Sequence, residues 1–191
     1  MRTVARPLMI VLRLAFGLAL LIGLAATSRA DDFTDQAALA DLFAQLRVAR
    51  DAQEAQAIDQ KIWTVWMTPS DPVLRVRMQE ALDARVSGDP LRTLALLNRL
   101  VADYPAYAEA WNQRATLYYL VGNFEASIAD CAKVLELEPR HFGALAGRAL
   151  MYLQMDKRPL ALRDMATALA LHPFLTERQL FPELQQDVTR I

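Results

Sequence analysis

Residues of three unlike types recur in this chain at one interval of 34 positions, and that interval constrains the fold more than any other feature. Prolines, glycines and alanines each hold a position of the interval, with one aspartate in a glycine position: Pro105, Pro139 and Pro173; Gly88, Gly122 and Asp156; Ala81, Ala115 and Ala149. A period of this length indicates stacked copies of one small structural unit. Stacked repeats form an extended surface for holding another molecule, and the period itself supplies no catalytic group.

The first 30 residues have the composition of a secretory signal peptide. They contain four arginines and no acidic residue, and an apolar run of 13 residues extends from Leu14 to Ala26. Ser28 and Ala30 place small residues where a signal peptidase reads them, which predicts cleavage after Ala30. The run is shorter than the ~20 residues that a membrane-spanning helix needs. We therefore expect a periplasmic protein; the alternative is an uncleaved segment that anchors the chain in the inner membrane, facing the periplasm.

Charge and cysteine content narrow the function classes. Without residues 1–30 the chain keeps 17 of its 21 basic residues and all 22 acidic ones, a net charge of −5. A mildly acidic chain without a basic run is a poor candidate for binding nucleic acid or anionic lipid. Cys131 is the only cysteine, so no internal disulfide can form and packing alone must stabilise the fold.

The remaining chain reads as helix nearly throughout, because apolar residues recur at helical spacing and no stretch sustains strand-like alternation. We expect one helix pair at about 34–48 and 52–67, within an N-terminal hairpin (31–72) that is a degenerate repeat or a cap covering the first unit. Three repeat units follow at 73–107, 108–141 and 142–175. Their helices are predicted at about 73–87, 90–103, 108–121, 124–138, 141–155 and 159–171. A C-terminal cap (176–191) contains a short predicted helix from about Pro182 to Thr189.

The middle unit closely resembles the tetratricopeptide repeat. Six residues occupy that family's signature positions: Trp111, Ala115, Tyr118, Gly122, Phe124 and Pro139. The third unit matches through Ala149, Tyr152, Ala161, Ala168 and Pro173. The first matches through Ala81, Gly88, Leu97 and Pro105, but has Arg77 where the family favours tryptophan. The resemblance covers 74–173 and implies an all-α fold: an α-solenoid of antiparallel helix pairs, three units long.

The resemblance also implies that the first helix of each pair lines a concave groove for a protein or peptide partner. The family's groove positions fall, unit by unit, on Arg75, Met78, Leu82 and Arg85; Glu109, Asn112, Thr116 and Tyr119; Gly143, Ala146, Leu150 and Leu153. Spacings of three and four residues keep each set on one helix face. Such a groove is polar toward the first two units and apolar in the third, and Asn112 can hydrogen-bond a peptide backbone without reading its sequence.

One known ligand class is disfavoured within this resemblance. Some family members grip the C-terminal carboxylate of a peptide with lysine, asparagine and arginine. The corresponding positions here carry other residue types: Met78, Leu82, Gln113, Gly143 and Gly147. A chaperone-tail ligand is therefore disfavoured.

No residue pattern predicts catalysis, a metal site or a cofactor. His141 and His172 lie at unit junctions, where packing or surface roles are favoured over metal binding. Cys131 falls in an apolar stripe, which favours a buried thiol over a nucleophile. Trp63 and Trp66 favour core packing over an aromatic platform for a partner. We therefore expect no enzyme, no metal, no cofactor, no small-molecule substrate and no nucleic acid, with membrane contact only through an uncleaved N-terminus.

Two glycines on the first helix of the third unit have two readings that the sequence leaves open. Gly143 and Gly147 are four residues apart, and a glycine within a helix costs about 1 kcal/mol relative to alanine. Each either permits close packing on a neighbouring helix or leaves room for the backbone of a ligand.

The predicted function is a non-catalytic, exported adaptor or scaffold that binds a partner polypeptide in its groove. The alternative is a structural subunit of an envelope assembly that self-associates through the apolar third unit and its terminal cap. An enzyme around His141 and Arg148 is a third, weaker hypothesis, because no nucleophile accompanies them. The sequence specifies neither the partner nor the oligomeric state.

Overall fold

The computed structural model describes residues 36–184. The predicted signal peptide, the cleavage site after Ala30, the start of the first predicted helix and residues 185–189 of the predicted capping helix lie outside the described residues. Helix α1 covers residues 36–47, of which 36–40 fall in one compact unit and 41–47 in a second, which also holds the rest of the described chain.

Seven further helices follow, and no strand occurs between residues 36 and 184, so the predicted all-α fold is confirmed. They are α2 (Ala52–Met67), α3 (Pro72–Val86), α4 (Pro90–Asp103), α5 (Ala108–Leu120), α6 (Phe124–Leu137), α7 (Phe142–Gln154) and α8 (Arg158–Leu171). Each of these ends lies within one residue of its prediction. The helices α3/α4, α5/α6 and α7/α8 pair, and each pair packs on the next.

The turn inside each pair shows why the 34-residue interval exists. Gly88, Gly122 and Asp156 all adopt the left-handed backbone, with φ of 74°, 77° and 56°. Glycine enters this region without steric cost, whereas an L-residue such as Asp156 enters it with strain. In the first two turns the next residue caps the second helix, because the Asp89 and Asn123 side chains accept backbone N–H bonds from Arg92 and Ala126.

The alanines of the interval are buried where the paired helices approach one another. Ala81, Ala115 and Ala149 are at most 2% exposed. A second small-residue position, one helix later, is equally buried and is filled by Thr93, Ser127 and Ala161. Large side chains at these positions would hold the helices apart, since protein interiors are close-packed.

An ion pair also recurs at the interval. The Arg114 guanidinium donates two bonds of 2.7 Å to the Asp130 carboxylate. Arg148 donates to Asp164 in the same way, at 2.6 and 3.1 Å. Both aspartates are buried, and each pair joins the two helices of one unit. These bidentate bonds add directional, charge-assisted contacts to the apolar packing.

The prediction that the N-terminal hairpin covers the first repeat stays a prediction. Met67, at the end of α2, packs on the core of the first unit, whereas the aromatic side chains of α2 pack against the starts of α5 and α7. The Tyr107 hydroxyl donates to the backbone oxygen of Trp66 at 2.9 Å, and the Trp66 ring stacks on His141 at 4.1 Å between centroids. Two large aromatic side chains on α2 find apolar partners on the second and third units, so burial of their rings favours this position.

The C-terminal end of the described chain covers the third unit. A 3₁₀ helix spans Thr176–Leu180, and the Phe181 side chain that follows it is fully buried in the core formed by α7 and α8. Leu175 and Leu184 pack on the same core. Leu184 and the 3₁₀ helix both lie within the predicted cap (176–191), but the 3₁₀ helix carries no periodic pattern that could be detected in the sequence.

Candidate functional site

A cavity opens between the first helices of the second and third units; we call it the inner cavity. Its volume is about 180 Å³, and most of its wall is apolar. Five of the predicted groove residues line it, together with a second glycine and residues from α6: Asn112, Thr116, Tyr119, Gly143 and Leu150; Gly147; Ser127 and Cys131. A cavity of about 150 Å³ can hold a benzene molecule, so this space suits one apolar side chain.

The two glycines of α7 have different roles, which resolves the two readings that the sequence left open. A Cβ atom on Gly143 would lie 2.9 Å from Cη2 of Trp63, so this glycine allows the indole ring to pack on α7. A Cβ atom on Gly147 would meet nothing within 4 Å. Gly147 therefore leaves open space, and it borders the inner cavity.

A larger depression, which we call the α2–α7 cleft, adjoins the inner cavity. Its volume is about 510 Å³. One wall is the α2 face that carries Gln56, Asp59 and Trp63, and the opposite wall is α7. The segment from His172 to Glu177 closes one side. The cleft and the inner cavity share Gly143, Gly147 and Leu150, so the two spaces adjoin along α7.

A buried hydrogen-bond network fixes the base of this region. The Glu109 carboxylate accepts bonds from Asn112 at 3.0 Å, from Gln113 at 2.6 Å and from Nε2 of His141 at 3.1 Å. The Ala144 amide donates to Nδ1 of His141, so the ring of His141 must carry its proton on Nε2. Both Glu109 and His141 are at most 1% exposed. The network joins α5 to the start of α7, so its role is structural.

The predicted groove residues of the first unit line neither space. Met78 is buried in the core of the first unit, where Leu82 packs against it, so Met78 is not a groove residue. Arg75 donates to the Pro69 carbonyl and Arg85 to the Gln113 side chain. The first unit therefore lines neither the inner cavity nor the α2–α7 cleft.

Two predicted positions in the later units line neither space: Glu109 is buried and Leu153 is partly buried. Glu109 is held in the network described above, and Leu153 packs on the core of the third unit. Ala146 is 3% exposed, yet it forms part of the floor of the α2–α7 cleft. Spacing alone places a residue on a helix face, but it does not show which neighbour covers that face.

Sequence reasoning missed the α2 wall of the cleft. Gln56, Asp59 and Trp63 lie on one helical face, a mixed polar and aromatic stripe that could have been noted. Nothing in the sequence indicated that α2 crosses to α7. The contact depends on Trp63 meeting a glycine 80 positions later.

The thiol of Cys131 forms part of the inner cavity wall and is a poor nucleophile. It is 3% exposed, and burial raises its pKa to about 12. A thiol with so high a pKa carries almost no thiolate at neutral pH, so the predicted structural role is favoured.

Residues 36–184 contain neither a cluster of metal-ligating side chains nor a helix that could span a membrane. In this range no three or more His, Cys, Asp or Glu side chains are grouped closely enough to hold a metal ion. None of the helices in the same range is long and apolar enough to span a bilayer.

Parts of this chain are similar to known proteins. The sequence profile described as "Tetratricopeptide repeat" matches residues 108–141. A TPR repeat-containing protein of Rhizobium etli is 36% identical over 135 residues, covering 71% of this chain and 66% of that protein. Human sperm-associated antigen 1 is 31% identical over 121 residues, covering 62% of this chain and 13% of that protein. This chain thus spans only part of the length of either relative.

Solved structures show the same fold. The first TPR domain of Spaghetti (RPAP3), bound to an HSP90 peptide, superposes with a TM-score of 0.55 at 17% identity, covering 60% of this chain and 92% of that one. The TPR2AB domain of yeast Sti1, in a complex with an HSP90 peptide, superposes with a TM-score of 0.51 at 17% identity, covering 72% and 55%. The repeat interval, the paired helices and these likenesses agree: the chain belongs to the tetratricopeptide-repeat family.

Proposed function

We propose that this protein is an interaction module that holds an extended segment of a partner polypeptide along the inner face of α5 and α7. The observation that carries the proposal is the empty space beside Gly147, where the inner cavity and the α2–α7 cleft meet. A helix interior normally disfavours glycine, and no side chain fills the space that this one leaves. Two solved relatives of the fold bind HSP90 peptides, which supports a peptide as the class of ligand.

The structure also suggests how such a segment would be held. The Thr116 hydroxyl donates to the Asn112 carbonyl, and the Tyr119 hydroxyl accepts a bond from Gln154, so both side chains stand in fixed positions at the cavity. Asn112 donates to Glu109 through its amide nitrogen, which directs its side chain along the cavity wall. Fixed polar groups beside an apolar cavity are the usual arrangement of a ligand site.

The test fills the proposed site without removing any existing contact. Gly147→Leu places a side chain in the open space, whereas Ala166→Leu adds a side chain at an exposed position of α8. Peptides are first selected on the purified protein from a displayed random library. We expect Gly147→Leu to abolish their binding and Ala166→Leu to leave it unchanged. Equal affinities for the two variants would contradict the proposal.

The proposal also includes the cellular location of the protein. We infer that the protein is exported to the periplasm by residues 1–30, with the uncleaved, membrane-anchored form as the alternative. The arginines, the short apolar run and the small residues before Asp31 support export. N-terminal sequencing of the protein from a periplasmic fraction is expected to begin at Asp31. A chain that begins at Met1 in the membrane fraction would support the anchored form.

Self-association is the second candidate function, but the surface that favours it differs from the one that the sequence indicated. The third unit, from which it was inferred, has its core covered by Phe181 and Leu184. Exposed apolar side chains lie instead on the first unit, where Val73 and Val76 occupy one face of α3. Light scattering at high concentration separates the candidates, because a monomer would contradict self-association and leave the groove proposal intact.

A further inference from the structure

The α2–α7 cleft is acidic. Two carboxylates, those of Asp59 and Glu177, lie in its wall, and every other side chain that lines it is uncharged or a histidine. Burial raises the pKa of the Asp59 carboxyl, a hydrogen bond with the Trp63 side chain lowers it, and the negative charge of Glu177 raises it. The wall of the cleft thus holds two acidic side chains and neither lysine nor arginine, and a recess focuses the field of like charges.

One carboxylate oxygen in this cleft has no partner. Oδ1 of Asp59 is closed off from solvent and accepts no hydrogen bond from the described residues. The indole of Trp63 interacts with the same carboxyl group and favours its ionised form. A buried acceptor without a donor is costly, so Oδ1 makes the ionised form of Asp59 less favourable. Because Oδ1 is covered, a ligand cation would contact the accessible part of this half-buried side chain.

The other walls suit the stem of a long cationic side chain. Trp63, Phe142 and Phe174 present aromatic surface, and the carboxylates lie beside it. Burial lowers the pKa of His172, so this ring does not place a competing positive charge in the cleft at neutral pH. Aromatic faces attract cations, and lysine and arginine bury their methylene stems on apolar surface while the charged end contacts polar groups.

We propose that the α2–α7 cleft binds a lysine or arginine side chain of the partner segment, with an apolar side chain of the same segment in the adjoining inner cavity. This inference rests on the proposed function and specifies its ligand. The two spaces share one wall on α7, and alternate residues of an extended peptide lie about 7 Å apart on one face. The recognised sequence is therefore a basic residue close to an apolar one.

The test measures charge preference directly. Three pools of fluorescein-labelled decapeptides share one degenerate composition and differ at a fixed central residue, which is lysine, norleucine or glutamate. Fluorescence anisotropy with the purified protein is expected to show at least about tenfold tighter binding of the lysine pool than of the glutamate pool. The preference should weaken as salt is added, because screening reduces attraction between partly exposed charges.

Variants locate the preference in the cleft. Asp59→Asn and Glu177→Gln each keep the shape of the side chain and remove its charge, and both are expected to bring the lysine preference below about threefold. Asp83→Asn and Glu125→Gln make the same charge changes at exposed positions of α3 and α6 and should leave the preference unchanged. Circular dichroism confirms that each variant is folded.

The outcomes separate this inference from the proposed function. Equal binding of the lysine and glutamate pools would overturn the basic-residue inference alone. A preference that survives in both cleft variants would overturn it as well, because the charge would then be read elsewhere. Absence of binding by all three pools would overturn the inference together with the proposed function.

Discussion

Alanine substitution at the two glycines of α7 is expected to change stability in opposite directions. At Gly143 the added methyl group would lie 2.9 Å from Cη2 and 3.0 Å from Cζ2 of Trp63, both closer than carbon atoms pack. At Gly147 the same group would meet open space. The chemical change is identical in the two variants, so the difference between them reports the contact with Trp63.

The magnitudes follow from the two positions. Overpacking a well-filled site costs about 1–3 kcal/mol. The indole of Trp63 is rigid and also packs against His141 and Phe142, so it cannot move aside freely. Gly143 is the second residue of α7, where alanine gains little helix propensity, so Gly143→Ala should destabilise by about 1–2 kcal/mol. Gly147→Ala, in the helix interior, should stabilise by up to about 1 kcal/mol.

Urea unfolding followed by far-UV circular dichroism measures both free energies, and a third variant tests their cause. Trp63→Phe removes the two indole atoms that obstruct a methyl group on Gly143. In that background Gly143→Ala should lose its penalty, a coupling of about 1–2 kcal/mol between the two positions. Coupling below about 0.5 kcal/mol would refute the reasoning, because it would mean that α2 does not rest on Gly143.

Three further outcomes are expected. Asp59→Asn should stabilise the protein at neutral pH, and the gain should vanish in acid. Burial raises the pKa of Asp59, so the stability that its carboxyl contributes is fully present below the unfolded-state pKa and is lost as the pH rises through the folded-state pKa. Urea unfolding at a series of pH values measures the difference. Cys131 should react with a thiol reagent in urea but hardly in the native state, because burial raises its pKa to about 12; absorbance during labelling measures this. Asp156→Gly should raise the thermal midpoint, with a gain of up to about 1 kcal/mol, because glycine adopts the left-handed φ of 56° without strain.

The helix pairs could be predicted from the sequence because their signals are local. Glycine or aspartate in a left-handed turn, a capping side chain after it and a proline beyond the second helix all act within a few residues of the boundary that they set. The interval of 34 residues then repeats these signals, so an error in one unit is corrected by the others. The recurring pairs Arg114–Asp130 and Arg148–Asp164 follow the same interval and were available to the same reasoning.

The position of α2 could not be predicted in this way. A degenerate hairpin before a solenoid is expected to stack on its first unit, since this continues the pattern. Trp66 stacks on His141, and Trp63 rests on Gly143, contacts that depend on side chains more than 70 positions away. The candidate site could not be fully predicted for the same reason, because α2 supplies the wall that carries Asp59.

We expect the first unit to unfold locally before the other two units. It lacks the buried ion pair of the later units, and one face of α3 is exposed. Where the second and third units have the buried arginine–aspartate pair, the positions 34 residues before Arg114 and Asp130 hold Glu80 and Leu96. Val73 and Val76 of α3 are 54% and 69% exposed, so none of the described helices covers this face of the first unit.

A buried, charge-assisted pair contributes about 1.5–3 kcal/mol, and each 1.4 kcal/mol is about a tenfold change in an opening equilibrium. End units of a repeat stack open independently when their interface is weak. Amide hydrogen exchange followed by mass spectrometry should therefore be at least about tenfold faster in α3 and α4 than in α5 and α6. Equal or greater protection of α3 and α4 would show that the buried pair and the exposed face of α3 do not control local stability, and that the units unfold together.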